Sequence, residues 1–396
     1  MSGPPPGLPS FSPPLGAWTF WADMITGSRA PLGPVQPVAF TCNMPLSDFG
    51  TGSVTLPAQM GGGITPDRAL RLWSWRLWAY YNGQLVWCGV PTGIKDTGEL
   101  GVALTLTELP GYLSKRLLDI PAGVTYTQIE QTKIASDIAA PVTDVGVAVV
   151  TQAGPGFLRD RTYAYMEGPY RSDLMTNLAQ VISGPEFRAE YAQSGGRPGC
   201  TLRIAYPRVG SGASGLGVQV PGLGIGYEAT WDSDLLRTRT FAVGDVADTA
   251  PAGTQKPVII VDQPQPDLPR LDCSDDWPQV VLVSSVREHA NAYATMYAAP
   301  TLDLTATATD ASPPLGSYGV GDDVTVSVTS PLLSGGYNVT GRLTNIAADA
   351  GAATVTWTVA VTLPPPPTRR PLSSRLAAQD AKSSGMFQTN LAAGIS

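Results

Sequence analysis

Leu77-Trp-Ala-Tyr-Tyr-Asn-Gly-Gln-Leu-Val-Trp-Cys-Gly-Val90 is the stretch on which the reading of this chain turns. Two apolar runs flank Asn82-Gly83, whose two positions both accept φ > 0, so the spacing predicts a hairpin closed by a two-residue type I′ turn. The register that follows sets Tyr81 opposite Gln84, Ala79 opposite Val86 and Trp78 opposite Trp87. A cross-strand Trp pair contributes roughly 0.2–1 kcal/mol over Ala–Ala. Trp73, Trp75 and Leu77 lie on one face of the first strand, and Leu72, Trp78 and Tyr80 on the other. A strand that is apolar on both faces is covered twice, as in a barrel packed against a neighbour.

Outward from this hairpin, residues 17–116 read as a first β-barrel, preceded by a Pro-rich N-terminal arm over 1–16 with six prolines. Residues 117–210 read as an α/β insertion domain. Thr127 with Glu130 has the spacing of a capping box that opens a helix, which Pro141 stops. Ser172 is placed to cap the next helix, with Leu174, Leu178, Val181 and Ile182 on one face and Gly184-Pro185 closing it. A hairpin follows, Phe187, Ala189 and Tyr191 alternating before a Ser194–Gly199 turn and Leu202, Ile204 and Tyr206 after it.

Residues 211–270 are expected to hold a connector and the first strands of a second barrel, Tyr227–Trp231 and Leu236–Val243. Residues 271–318 read as a helical insertion within a Pro- and Asp-rich loop (Thr249–Pro278) and its sequel. There Ser285 and Glu288 form a second capping box, and Val286, Ala290, Tyr293 and Tyr297 share a face until Pro300. Residues 319–363 read as a β-meander completing that barrel: Val324, Val326 and Val328 alternate, Ser334-Gly-Gly336 turns the chain, and Val355 to Leu363 alternate in the strongest strand pattern. Pro364–Pro367 open a Pro-rich C-terminal tail, 364–396, with the composition either of a disordered segment or of an arm that orders on a neighbouring subunit. The fold class is therefore mainly β with α+β insertions, two tube-like β-barrel domains plus a mixed α/β insertion domain.

Composition narrows the function. Charged residues make up 14% of the 396, against about 25% in average globular chains. An assembly subunit can bury neutral surface of this kind, because charge is depleted at interface cores; a secreted Thr/Ser-rich β protein is the alternative. The net charge of −7, with no basic run longer than Arg369-Arg370, argues against a binder of duplex DNA or anionic membrane. Cys42, Cys88, Cys200 and Cys273 form no C-x-x-C pair and read as reduced thiols. No signal peptide is evident at the N-terminus, and no apolar run approaches the ~20 residues of a membrane helix. The chain is expected to be soluble and made in a cytoplasm.

The search for chemistry yields no catalytic, cofactor-binding or metal residue. His289 is the single histidine and sits between Glu288 and Asn291, as on a solvated helix face. Four dispersed cysteines and one histidine lack zinc-ligand spacing. Glu108, Asp119, Glu130, Glu186 and Glu190 are candidates for a carboxylate pair of the glycosidase kind, but nothing in their spacing selects two of them. Asp272-Cys-Ser-Asp275-Asp276 lacks the D-x-D-x-D-G pattern of a calcium loop and reads as Asx turns ahead of Trp277. Gly222-Leu-Gly224-Ile-Gly226 precedes a strand rather than a helix, and Gly210–Gly217 lacks the Lys and Ser/Thr of a P-loop, so neither cradles phosphate. The nine Trp and fourteen Tyr, without neighbouring cations, read as core and interface rather than as base-stacking platforms. The expectation is a protein that is not an enzyme and uses no cofactor.

The order of these segments resembles the tail hub, or tail-associated baseplate hub, proteins of long-tailed (siphovirus-type) phages, especially minor tail proteins of actinobacterial phages. Phe20-Trp-Ala-Asp-Met-Ile-Thr-Gly27 resembles the family's opening strand and turn, and Leu77–Val90 its Trp-x-Gly hairpin. Gly111-Tyr-Leu-Ser-Lys-Arg116 is similar to the segment leaving the first barrel, Ser172–Tyr191 to the insertion domain, and Val324–Leu363 to the second barrel. The resemblance implies a homotrimer at the virion tail tip, whose six barrels form a pseudo-sixfold ring between a six-fold tube and a three-fold tip. It implies as partners a distal tail protein or tail tube ring, a tape measure protein and downstream tail-tip or fibre proteins. Genomic DNA would cross the lumen without specific binding, eased by the acidic balance, and no membrane anchoring is implied. Many hubs continue into a peptidase, glycosidase or carbohydrate-binding region after the second barrel; here other chains are expected to supply such functions. A receptor- or polysaccharide-binding tail-tip protein, favoured by Trp and Tyr, and a peptidoglycan hydrolase are the alternative readings.

Overall fold

The computed structural model describes residues 17–361 except 26–29, 58–63, 97, 99–100, 153–157, 164–169, 182, 213–215, 221–224, 235, 247–250, 252, 266–267, 278–279, 281, 299–300, 310–314 and 331–332. The Pro-rich arm, the Pro-rich tail, Ile182, Pro278, Pro300 and Leu363 thus lie outside the described residues. The rest divides into two compact units, 17–229 with 304–360 and 230–303 with 361.

In the first unit the N-terminal strands are β1 (Trp18–Met24), β2 (Pro31–Val35), β3 (Ala39–Pro45), β4 (Thr51–Leu56), β5 (Trp75–Tyr81), β6 (Gln84–Asp96) and β7 (Val102–Glu108), with a short helix α1 (Pro66–Ala69) before β5. A 3-10 segment, Leu109–Lys115, leads to β8 (Val124–Glu130), α2 (Gln131–Ala139), β9 (Val147–Gln152), β10 (Leu158–Tyr163), α3 (Arg171–Gln180), β11 (Glu186–Ser194) and β12 (Arg197–Ala205). Then come β13 (Leu216–Val220) and β14 (Ile225–Asp232). The second unit holds β15 (Arg239–Val243), β16 (Val258–Asp262), β17 (Asp272–Asp276) and α4 (Val283–Met296). The chain returns through β18 (Thr301–Thr309), β19 (Asp323–Ser330), β20 (Leu333–Asp349) and β21 (Thr354–Val361).

One sheet of thirteen strands dominates. Neighbour to neighbour it runs β14-β18-β21-β20-β3-β4-β7-β6-β5-β1-β2, with β19 pairing both β20 and β13. The β20–β3 pairing, Asp349 opposite Thr41 to Asn345 opposite Pro45, joins the N-terminal strands to the C-terminal meander. The two regions read from the sequence as separate barrels are therefore one continuous sheet, and within a single chain no sheet closes on itself among the described residues.

The Asn82-Gly83 turn has φ of 47° and 78°, as a type I′ turn requires. The register differs from the expected one beyond the second pair. Tyr81 faces Gln84, but a bulge shifts Ala79 onto Trp87 and Trp78 onto Cys88, so the two tryptophans do not pair. The cause lies in packing. Trp87 folds over Gly89, where a Cβ would lie 2.0 Å from its ring, and reaches Phe40 with ring centroids 5.7 Å apart. One face of the hairpin thereby joins an aromatic cluster of Trp18, Phe20, Phe40 and Tyr81. The other face, Trp78, Tyr80, Cys88 and Val90, packs on Ile134, Ile138, Met175 and Leu178 from α2 and α3. All seven residues of β5 are buried. The double cover expected from a neighbour comes from the chain's own α/β segment.

That segment departs locally from the sequence signals. β8 runs through Thr127 to Glu130 because it pairs with β10, and Gln128 takes φ 52° with its N–H on Asp160 Oδ1 at 2.7 Å. Glu130 is thus the residue that caps α2, accepting from the Thr132 and Lys133 N–H groups, rather than the third residue of a box begun by Thr127. Pro141 opens a 3-10 turn (Ala140–Val145) that follows α2. Helix α3 begins one residue before Ser172, with Tyr170 at its cap position, and its buried positions are Ser172, Met175 and Leu178; Val181 has already left the helix. The turn expected over Ser194–Gly199 shrinks to Gly195-Gly196, with Ser194 opposite Arg197. Gly335 and Gly336 lie inside β20, since Ser330 pairs with Leu333 and the chain reverses before them.

In the second unit the Pro- and Asp-rich loop contains two strands, β16 and β17, which flank β15. Helix α4 starts at Val283, ahead of the Ser285–Glu288 box, and has no side-chain cap bond. Val286 and Ala290 pack on Ala242, Ile259 and Val261. The stretch expected to be a helical insertion also carries the strands β17 and β18.

Candidate functional surface: the hydroxyl face of the long sheet

The residues nominated for chemistry occupy structural positions. The ring of His289 stacks on Trp277 with centroids 4.0 Å apart and planes 16° apart, half-buried rather than on a solvated face. Cys42, Cys88 and Cys200 are buried and Cys273 is partly so; all are free thiols. Burial pushes Cys88 and Cys200 well above the ordinary thiol range, which makes them inert. Asp272–Asp276 form β17 instead of Asx turns, with Asp272 paired to Arg270 and Asp275 to the buried Arg237. Gly222 and Gly224 lie outside the described residues, and Gly226 is the second residue of β14. Gly210 has φ 88° and sits against the Gly321 carbonyl, so its role is close backbone approach. Among the described residues no group of three or more His, Cys, Asp or Glu side chains converges as metal ligands would.

The five carboxylates do not assemble. Asp119 is exposed and Glu130 caps α2. Glu108, at the end of β7, is 3% exposed; it accepts from Tyr191 Oη at 2.6 Å and from the Gly50 N–H at 3.0 Å. Burial raises its carboxyl from 4.5 to about 7, against the lowering effect of these two bonds. A pKa near 7 is what a general acid would show, but here the group is enclosed and acts as a tie between β7 and β11.

Glu186 and Glu190 belong to an ion network that holds the β11–β12 hairpin to the C-terminal strands. Arg342 of β20 pairs with Glu186, and its Nη2 also donates to the Val209 carbonyl at 2.7 Å. Arg208 forks onto Asp323 at 2.9 and 3.1 Å. Arg188 reaches Glu190 at 2.8 Å and Asp322 at 3.2 Å, while Arg203 adds a second cation to Glu190 at 2.8 Å. On the N-terminal side the buried Arg76 forks onto Asp23 at 2.6 and 3.0 Å and donates to the Val145 carbonyl at 3.0 Å. Trp78 Nε1 completes that site on Asp23 at 3.0 Å. Arg76 and Asp23 are paired and desolvated, and the partly exposed pairs around Glu186, Glu190 and Asp323 tie the β11–β12 hairpin and the chain after it to the C-terminal strands.

What remains open to a partner is the second face of the long sheet. Alternation sends Phe40, Val54, Leu104, Ile346 and Trp357 into the core, so their neighbours in sequence face outward. One outward row, in register across six strands, reads Thr354, Asp349, Thr41, Ser53, Thr105, Gly93. The next contains Thr356, Ala347 and Asn43. Thr41 and Ser53 hydroxyls lie 2.8 Å apart, and Thr307 and Thr356 hydroxyls 3.1 Å apart. The Asp349 carboxylate accepts from the Gly351 and Ala352 N–H groups at 2.8 and 3.0 Å, which ties its charge into the β20–β21 turn. A concave groove of 450 Å³ runs over this face. The sequence signal for this face is the polar half of the alternation, Thr51-x-Ser53-x-Thr55, Thr105-x-Thr107 and Thr354-x-Thr356-x-Thr358.

This architecture defines a class: the fold is that of phage tail proteins. The 43 kDa tail protein of prophage MuSo2 from Shewanella oneidensis superposes with a TM-score of 0.60 at 12% identity, covering 88% of this chain and 98% of that one. A tail protein from Neisseria meningitidis gives 0.55 at 12% identity over 87% and 96% of the two chains. A prophage tail protein from Listeria monocytogenes gives 0.53 at 10% identity over 92% and 98%. No protein-family model matches the sequence, and no curated protein does.

Proposed function

We propose that this chain is a structural component of a phage-type tail tip: a homotrimeric hub of the siphovirus type, whose subunits adapt a six-fold tube to a three-fold tip around a DNA channel. The observation that carries this reading is the single sheet that merges an N-terminal and a C-terminal set of strands through the β20–β3 pairing. With two strand sets per subunit, three subunits to a ring would give six wall segments. Its open ends make closure a property of the ring, since sheet edges left unpaired in a monomer invite strand pairing with another chain. On this reading the N-terminal set is the barrel expected over 17–116, on which the 117–210 segment packs, and β13, β14 and β18–β21 make the second; β15, expected among its first strands, lies instead in a separate sheet with β16 and β17.

On this reading the chain acts without catalysis, cofactor or metal. Its partners are a distal tail protein or tube ring on one side, tail-tip or fibre proteins on the other, and a tape measure protein within. It is made in the cytoplasm of a bacterial host, an actinobacterium on the resemblance of its sequence, and resides at the virion tail tip. No helix among the described residues is long and apolar enough to cross a membrane. The test is mass photometry of the purified chain followed by negative-stain images of tails carrying a tagged copy. A trimer, and label on the tube axis at the tip, is the expected result; a monomer, or label off the axis, refutes the proposal.

A further inference from the structure

We infer that the outer face of the small sheet in the second unit is the seat of the chain's own Pro-rich C-terminal arm, residues 368–396. Helix α4 covers the inner face of that sheet, with Val286 and Ala290 on Ala242, Ile259 and Val261. Alternation turns the intervening residues to the other side, and the pairing sets them in rows. Phe241 and Val243 of β15 stand against Ile260 and Val258 of β16. On their other flank they meet Ser274 and Asp276 of β17. The last row sets Arg239 between Asp262 and Asp272, so aspartates border the apolar strip on both edge strands. Val258 is 50% exposed and Ile260 47%. An exposed apolar strip with a polar rim marks a binding surface.

Charge selects the occupant. Residues 230–303 carry eleven Asp or Glu and five Lys or Arg, a balance of −6 within a whole-chain charge of −7. Residues 362–396 carry Arg369, Arg370, Arg375 and Lys382 against the single acid Asp380, a balance of +3. Leu372 and Leu376 interleave with the arginines, and Met386 and Phe387 follow Lys382. The arm thus offers cationic and apolar side chains together, the complement of a Val, Ile and Phe strip bordered by aspartates. Asp262 pairs with Arg239 and Asp272 with Arg270. These carboxylates stay open to water, so an incoming arginine can share them. A second copy of the same face would set aspartate against aspartate, which is penalised. A nucleic acid or an anionic membrane needs clustered cations instead. The 26 residues from Val361 to Phe387 extend to about 90 Å, several times the radius of gyration of about 21 Å expected of a compact chain this long. Tethering of this kind gives an effective concentration in the millimolar range, so weak contacts seat the arm on its own chain.

The test uses the full chain with Ile260 replaced by the photoreactive p-benzoylphenylalanine, which sets a reactive ketone on the strip. After irradiation, mass spectrometry of the digested product should find the adducts on residues 368–396. Because arm and strip belong to one chain, the adduct should run as a monomer on a denaturing gel. Dimers, adducts confined to other segments, or no adduct at all overturn the inference. A second variant adds Arg369→Glu, Arg370→Glu and Arg375→Glu, which lie wholly in the arm and leave the packed strands unaltered. It should lose the adducts, and those of the unreversed chain should fade at 1 M salt, where the Debye length is about 3 Å. Adducts of undiminished yield after charge reversal overturn the complementarity that selects the arm. Neither readout depends on ring formation or on position in a tail, so the inference stands or falls apart from the hub reading.

Discussion

Replacing Glu108 by Gln should remove a pH dependence of stability that the wild-type chain carries. The carboxyl is enclosed between β7, β11 and the backbone of Gly50, with Asp48 adding a like charge nearby. Burial raises its pKa from 4.5 to about 7, so the folded state holds a proton that the unfolded state releases between those values. Stability from this group is therefore full below pH 4.5, falls as pH rises toward 7, and is level above. At 1.36 kcal/mol per unit, the interval corresponds to about 3 kcal/mol. Urea denaturation of both proteins from pH 4.5 to 8 measures it: the wild-type-minus-variant difference should drop by about 3 kcal/mol, most of it between pH 5 and 7. Tyr191→Phe removes the donor that favours the charged form and should move the midpoint upward. A wild-type-minus-variant difference that stays flat across the range would refute the reasoning, because it would mean that the site is hydrated and the carboxylate is not desolvated in the folded chain.

Three further outcomes follow from the packing. Asp23→Asn leaves the buried Arg76 guanidinium short of its counter-charge and should cost about 3–5 kcal/mol in chemical denaturation, whereas Arg76→Met with Asp23→Leu together should cost much less. Gly89→Ala forces a Cβ to 2.0 Å from the Trp87 ring; the expected loss is about 1–3 kcal/mol, with a red shift in Trp emission as the aromatic cluster loosens. Arg342→Ala uncouples Glu186, Asp323 and the Val209 carbonyl at once. Limited proteolysis near residues 206–212 should then speed up relative to the rest of the chain.

The glycosidase alternative has a direct check of its own. A zymogram on bacterial cell walls is expected to stay opaque with this chain alone, since Glu108, Glu130, Glu186 and Glu190 are each committed to a structural donor. Clearing that vanishes on mutating any of them would overturn the structural assignment of these side chains.

The sequence alone determined the strands with the clearest alternation, because their information is local. A period of two over Val324–Val328 and Val355–Val359, and a turn dipeptide at Asn82-Gly83, act through backbone sterics and side-chain alternation within a few residues. It also indicated that β5 is covered on both faces, Trp75 and Leu77 on one and Trp78 and Tyr80 on the other, although Arg76 on the second face is buried only because the fold sets Asp23 against it. The tertiary structure decided everything set by what lies opposite. The bulge that separates Trp78 from Trp87 exists because Gly89 and Gly52 leave room for one indole, residues whose proximity no local pattern encodes. Thr127-x-x-Glu130 failed to start a helix because pairing with β10 outweighs a capping preference of about 1 kcal/mol. Above all, the merging of the N- and C-terminal strands depends on Thr41 meeting Asp349 across some three hundred residues. Only that long-range pairing lines up the small polar side chains of five separate strands into one face, whereas each strand by itself shows merely an alternation of apolar and small polar residues.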